Sequence, residues 1–177
     1  MLTLISAQYR EAPMNIPISD IALKMTGISE GNLHDVNHFM KVWAFARLIG
    51  EKELGDEASL AVLETAAILH DIACPLCREK YGSALPDKQE LEGMALTEDF
   101  LREFELPEEF VERVVWLVGH HHTADVAETA EHRILLEADY LVNACESSYG
   151  EKHIRSAEKK LFRTPTGLRL LRDMYCL

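Results

Sequence analysis

The chain has 177 residues, of which 47% are hydrophobic and 27% are charged. This balance is typical of one soluble globular domain and excludes a disordered or disulfide-scaffold chain. The net charge of −12 disfavours nucleic acid and anionic membranes as partners. The first residues lack the basic region of an export signal, and no apolar run reaches the roughly 20 residues of a membrane span. We therefore expect a cytoplasmic protein.

Helix follows helix along the chain. Apolar periodicity and capping residues predict helices over residues 17–27, 32–49, 57–72, 87–104, 107–119 and 132–146, and then two more. Pro75, Gly82 and Pro86 indicate a loop between the third and fourth helices. The predicted fold class is all-α, a single-domain bundle of about seven to eight helices.

The last helix, capped by Thr164 and opened by Pro165, carries an apolar face. We expect one domain over residues 1–177, with a core over residues 30–146 and the helices of 151–177 packed on it. Packing of the last helix on a second copy, which would make a homodimer, is the alternative.

Three helices carry an ionisable residue among apolar neighbours. His38, His70 and Asp139 share helical stripes with apolar side chains. A buried carboxylate without partners costs several kcal/mol or more. An ordinary core hydrogen bond explains each residue taken alone, whereas one shared cation compensates all of them. The mixture of imidazole and carboxylate suits Mn, Fe, Co, Ni or Zn better than Mg.

Further ionisable residues lie next to these positions. Asp71 follows His70 directly, and its two oxygens allow it to bridge two ions. His120, His121 and His122 stand where the fifth predicted helix ends, as a polar loop or as further ligands.

The cysteines indicate neither a disulfide framework nor a zinc finger. Cys74 and Cys77 form a lone C-x-x-C motif, and the sequence has no second pair that would complete four zinc ligands. No βαβ pattern surrounds them, which disfavours a redox dithiol. In a chain of this size without an export signal we expect reduced thiols.

In this context the chain resembles the HD-domain superfamily of metal-dependent phosphohydrolases, whose signature is H…HD…D on a helical bundle. The pattern reads His38 before Phe-Met-Lys-Val, His70-Asp71 after Ala-Ala-Ile-Leu, and Asp139 after Leu-Leu-Glu-Ala. The resemblance covers roughly residues 30–146. Fragments at residues 79–83, 117–123 and 164–171 look like a small single-domain bacterial branch.

The resemblance implies that His38, His70, Asp71 and Asp139 hold one divalent metal ion. His34 is the rival for the first position, four residues earlier on the same helix face, but the Lys-Val that follows His38 matches the family context better.

Two-metal members of the family have further histidines, one before a glycine in the helix after the HD pair and two at the end of the next helix. Here Gln89 or Glu92 would replace the first, and His120 with His121 would supply the others. The pair His121 and His122 is the alternative. The resemblance thus implies one ion or two.

The family often has a phosphate-contacting lysine three residues after the Asp, where this chain has Cys74. Arg78 and Lys80 are the nearest basic candidates for phosphate binding, with solvated surface charge as the alternative.

The resemblance implies a phosphohydrolase in which a metal-bound hydroxide attacks a small phosphomonoester or nucleotide, with Asp71 as the catalytic residue that orients or deprotonates the water. The missing lysine and histidine leave open a non-hydrolytic module that senses a metal or nucleotide. Oxygen chemistry at a di-iron centre is a third reading.

Overall fold

The computed structural model describes residues 15–126 and 129–177. These residues form helices and no strand, which confirms the predicted all-α class. The helices are α1 (Ile18–Ile28), α2 (Leu33–Glu53), α3 (Glu57–Leu69), α4 (Cys74–Tyr81), α5 (Pro86–Leu101), α6 (Glu108–Val118), α7 (Ala130–Glu146), α8 (Glu151–Lys160) and α9 (Pro165–Tyr175). Short 3₁₀ turns follow α5 at Arg102–Phe104 and precede α7 at Ala124–Val126.

Helix α3 lies at the centre of the bundle. It contacts α1, α2, α6 and α7, and α2 also packs along α7. From Val62 to Leu69 every residue of α3 is buried, which explains why its sequence is apolar nearly all round. The C-terminal end of α3 therefore delivers the next residues, His70 and Asp71, into the interior between α2 and α7.

The segment Glu57–Tyr81, which includes α3 and α4, is long and apolar enough to cross a membrane by length and composition. The segment was not predicted from the sequence, because polar residues divide it into shorter uninterrupted apolar runs. In the fold, 72% of the most apolar window is buried against other helices. Such burial is typical of the core helix of a globular bundle.

The prediction of a loop between Pro75 and Pro86 was wrong for its first half, which forms α4. Pro75 lies in the first turn of α4, where a backbone N–H has no intrahelical acceptor and the fixed φ of proline suits the helix. Gly82 ends the helix with φ 75°, and its N–H donates to the carbonyl of Arg78 at 3.0 Å.

A buried carboxylate joins the C-terminal helices to the bundle. Glu137 of α7 accepts hydrogen bonds from the N–H groups of Arg163 and Thr164, at 2.6 and 2.9 Å, and from the Thr164 hydroxyl. Helix α9, which starts there, contacts α2, α7 and α8. The extent of the domain over residues 1–177 stays a prediction.

This contact predicts that Gly167→Ala destabilises the fold. A Cβ on Gly167 would lie 2.0 Å from Oε2 of Glu137 and 2.7 Å from Oγ1 of Thr164. We expect a loss of about 1–3 kcal/mol in the free energy of unfolding, measured by urea denaturation. Gly27→Ala in α1 is the matched control, because nothing lies within 4 Å of its Cβ, and it should keep or gain stability, up to about 1 kcal/mol. Equal effects of the two substitutions would contradict this packing.

Candidate metal centre

Three helices bring four donor side chains to one point. His38 lies on α2, His70 and Asp71 follow α3, and Asp139 lies on α7. Nε2 of His38 is 3.2 Å from Nε2 of His70 and 3.2 Å from Oδ1 of Asp139. Oδ2 of Asp71 is 3.5 Å from both imidazole nitrogens. The structure thus brings together the four residues that the sequence assigns to the first ion.

The separations of these atoms fit a shared cation. Nitrogen and oxygen ligands lie about 2.0–2.2 Å from a transition-metal ion, so two ligands about 90–110° apart are separated by roughly 2.9–3.5 Å. The separations that involve the two imidazoles run from 3.2 to 3.6 Å. Each imidazole nitrogen is therefore placed to share an ion with the carboxylate of Asp71 or of Asp139.

The second nitrogen of each ring fixes which atom faces the centre. Nδ1 of His70 donates to the carbonyl of Ala67 at 2.9 Å, and Nδ1 of His38 donates to Oε2 of Glu146 at 2.9 Å. A carbonyl and an ionised carboxylate only accept, so in the neutral rings both Nε2 atoms carry lone pairs. Outer hydrogen bonds of this kind orient metal-binding histidines in general.

The electrostatics of the cluster favour a positive charge at its centre. Burial opposes the charged form of His38, but the hydrogen bonds to Asp139 and Glu146 and the charges of Asp71 and Asp139 outweigh it and raise its pKa to about 9. Burial also opposes the ionised carboxylates, yet the surrounding histidines hold the pKa of Asp71 and of Asp139 well below the usual range. Without an ion, protons supply the charge that the carboxylates require.

Two supporting residues on α7 were not predicted from the sequence. Nδ2 of Asn143 donates to Oδ1 of Asp139 at 2.8 Å, and Glu146 accepts from His38 and from Nζ of Lys41. A signal was present, because Asp139, Asn143 and Glu146 follow the spacing i, i+4, i+7 of one helix face.

A second donor group lies on the other side of Asp71. Oδ1 of Asp71 is 3.7 Å from Nε2 of His121, and the two residues form a candidate metal group with His122. The ring of His121 is buried, and its Nδ1 donates to the carbonyl of Val118 at 2.7 Å. Within the described residues its Nε2 forms no hydrogen bond. A buried polar atom left unpaired beside a carboxylate fits a second cation.

Of the three consecutive histidines, His120 lies outside this group. Its Nδ1 donates to the carbonyl of Trp116 at 2.7 Å, and its ring stacks on the Trp116 indole with centroids 4.5 Å apart. The pair that faces Asp71 is therefore His121 and His122, whereas the sequence analysis places His120 and His121 there and gives His122 as the alternative.

The two residues predicted to replace the α5 histidine have different surroundings. The Gln89 amide donates to the carbonyl of Ala84 at 2.7 Å, and its Oε1 lies 3.2 Å from Nε2 of His122, at the second donor group. Glu92 instead accepts from Nζ of Lys80 and from the Tyr81 hydroxyl, and it belongs to neither candidate metal group of the described residues.

The basic candidates are paired with carboxylates. The Arg78 guanidinium forms two hydrogen bonds to Asp35, and Lys80 binds Glu92 at 2.6 Å.

His34, the rival of His38 for the first ligand position, has a side chain that is 70% exposed. It lies 3.4 Å from Glu146 at the rim of the site.

The two cysteines of the C-x-x-C motif are buried and unpaired, as expected for reduced thiols. Burial and the charge of Asp71 raise the pKa of the Cys74 thiol, and burial and Glu92 raise that of Cys77. Both residues are therefore held as neutral thiols.

A sequence model of the HD domain family matches residues 35–144, which include all four donors of the first group. The chain belongs to the HD domain family, a family of metal-dependent hydrolases whose domains bind divalent metals. No curated protein matches the chain.

Two solved structures share the fold. A predicted HD superfamily hydrolase from an uncultured Thermotogales bacterium is 25% identical, with a TM-score of 0.63 over 90% of this chain and 83% of that chain. The Lin1889 protein from Listeria innocua is 20% identical, with a TM-score of 0.59 over 89% of each chain, and supports the fold alone.

The raised pKa of His38 predicts that metal binding depends on pH. Because its pKa is about 9 in the metal-free protein, an ion that binds at pH 7 must displace a proton. The apparent affinity for Mn²⁺ should therefore rise with pH and level off above about 9, by up to tenfold per pH unit for each proton displaced. Calorimetric titrations in buffers of different ionisation enthalpy measure the protons released. An affinity that is constant from pH 6 to pH 9 would contradict this protonation state.

Proposed function

We propose that the protein is a metal-dependent phosphohydrolase that acts on a small phosphomonoester or nucleotide. The observation that carries the proposal is the position of Asp71 between two donor groups. Its Oδ2 faces His38 and His70, and its Oδ1 faces His121. A carboxylate placed in this way would bridge two cations, and pairs of cations about 3.5–4 Å apart are typical of phosphatase sites.

The residues of the centre divide the chemistry among them. His38, His70, Asp71 and Asp139 would hold a first ion, and Asp71, His121 and His122 a second. When bound, such an ion supplies hydroxide near neutral pH by lowering the pKa of water from about 15.7 to about 7, and offsets phosphoryl charge. Asp71 stays ionised in this setting, and its carboxylate would orient the attacking water. Asn143 holds Asp139, and Glu146 holds His38, in the orientation that binding requires.

Arg78 and Lys80 are the candidate contacts for the phosphate. Each is already held by a carboxylate, Arg78 by Asp35 and Lys80 by Glu92. A guanidinium matches two phosphate oxygens in the same forked geometry that it uses for a carboxylate. We propose that Arg78 exchanges part of its contact with Asp35 for the substrate.

The charge of the chain and the chemistry of the donor atoms limit which substrates and metals are expected. A net charge of −12 favours a small phosphorylated substrate over nucleic acid or an anionic membrane surface. Mixed nitrogen and oxygen donors favour Mn, Fe, Co, Ni or Zn. A cytoplasmic location and a homodimer remain predictions.

One observation favours the alternative, a sensor that binds a metal or nucleotide without hydrolysis. Both basic side chains near the site are engaged in ion pairs, and Cys74 is a buried neutral thiol at the position where relatives often have a lysine. A sensor needs the donor groups but not a phosphate clamp.

Removal of the bridging carboxylate tests the proposal. With Mn, Fe, Co, Ni or Zn added, the wild-type protein should hydrolyse at least one member of a panel of phosphomonoesters and nucleotides. Asp71→Asn should lower kcat by about 10²–10⁴-fold, because the bridge loses its charge. Asp173→Asn on α9, where the side chain is 69% exposed, is the matched control and should keep wild-type activity.

The alternatives predict different outcomes of the same assays. A nucleotide that raises Tm without product formation would favour the sensor. Oxygen consumption by the iron-loaded protein would favour oxygen chemistry. Phosphate release that persists at the wild-type rate in Asp71→Asn would contradict the proposed role of Asp71.

A further inference from the structure

His132 is a buried imidazole that belongs to neither donor group. It lies in the first turn of α7, is fully buried, and its backbone N–H donates to the hydroxyl of Thr129, which caps the helix, at 3.2 Å. Its Nε2 lies 2.7 Å from the carbonyl oxygen of His120. Within the described residues its Nδ1 forms no hydrogen bond.

The partner of His132 determines its tautomer. A carbonyl oxygen only accepts, so Nε2 of His132 carries the hydrogen and donates a hydrogen bond to the carbonyl oxygen of His120. Burial and the nearby histidines His120 and His121 lower the pKa of His132, although its hydrogen bond to His120 opposes this. The ring is therefore neutral, and its single N–H donates to the backbone carbonyl of His120.

The carbonyl of His120 lies in the turn that carries the second donor group. The same peptide unit links this carbonyl to the N–H of His121, and the peptide is planar. The carbonyl accepts two hydrogen bonds, one from the N–H of Thr123 within the turn at 2.9 Å and one from His132, which ties it to α7. Fixing the carbonyl against α7 fixes the plane from which His121 starts. On the other side of the turn, Glu90 of α5 accepts the N–H of His122 at 2.9 Å.

We propose that His132 is a positioning residue for a second cation: its Nε2–H holds the His120 carbonyl so that His121 and His122 face Asp71. The inference rests on the proposed function in one respect, that a second cation binds there. His132 and Asp139 are seven residues apart on α7, two helical turns along nearly the same face. One helix thus supplies a ligand to the first group and fixes the turn that supplies the second.

The test compares two substitutions with Mn²⁺ as the only ligand. His132→Gln places an amide N–H near the position of Nε2, whereas His132→Leu fills the space without a donor. Calorimetric titration gives the number of sites and their affinities, and electron paramagnetic resonance reports whether two Mn²⁺ ions are coupled. Leu171→Ala on α9, a fully buried residue, controls for a general loss of stability.

We expect the wild type to bind two Mn²⁺ ions with a coupled spectrum. His132→Leu should bind the first ion normally and the second about 10-fold more weakly. This is the lower end of the usual cost of losing a bond to a metal ligand, because His132 bonds the peptide that precedes His121 and not the ligand itself. His132→Gln and Leu171→Ala should both retain the second ion and the coupled spectrum.

Four results would overturn the inference. Two concern His132: a second site of wild-type affinity in His132→Leu, or a second site in His132→Gln that is as weak as that in His132→Leu. The others are loss of the coupled spectrum in Leu171→Ala and a wild type that binds one ion only. A one-ion wild type with phosphatase activity would leave the proposed function standing, whereas a wild type that binds no Mn²⁺, Fe, Co, Ni or Zn would remove both.

Discussion

The constraint on which the site depends is that two imidazole nitrogens face each other inside an apolar bundle. Nε2 of His38 and Nε2 of His70 are 3.2 Å apart, and each ring has already donated its Nδ1–H elsewhere. Two lone pairs at that distance repel each other unless a proton or a cation lies between or beside them. The ionised carboxylates of Asp71 and Asp139 complete a centre that requires positive charge.

The fold makes this arrangement rigid by building it on the core helices. Helix α3 is buried all round from Val62 to Leu69, so its C-terminal end cannot move without disturbing the contacts of α3 with α1, α2, α6 and α7. The second donor group has a different support, because His121 and His122 lie on a turn after α6. Two other helices hold that turn, because Glu90 of α5 accepts the N–H of His122 and His132 of α7 donates to the carbonyl of His120. The two groups share only Asp71, whose Oδ2 faces His38 and His70 and whose Oδ1 faces His121, so each group has its own support.

The sequence predicts the part of this structure that periodicity and capping determine. The all-α class and the convergence of His38, His70 and Asp139 follow from apolar stripes that a charged residue interrupts. The α4 helix was missed because Pro75 was read as a loop signal, whereas proline is compatible with a first turn. The pairing of His121 and His122 depends on the geometry of an irregular turn, which has no period. The partners of Glu92, Arg78 and Gln89 arise from tertiary contacts between α2, α4, α5 and the turn after α6, which local sequence does not encode.

The most direct measurement is a crystal structure of the Mn²⁺-loaded protein with anomalous scattering recorded at the manganese edge. The account predicts an anomalous peak about 2.0–2.3 Å from Nε2 of His38, Nε2 of His70 and one oxygen each of Asp71 and Asp139. It would be contradicted by a fully loaded crystal in which no peak lies between these atoms and the two imidazoles hydrogen-bond directly to each other.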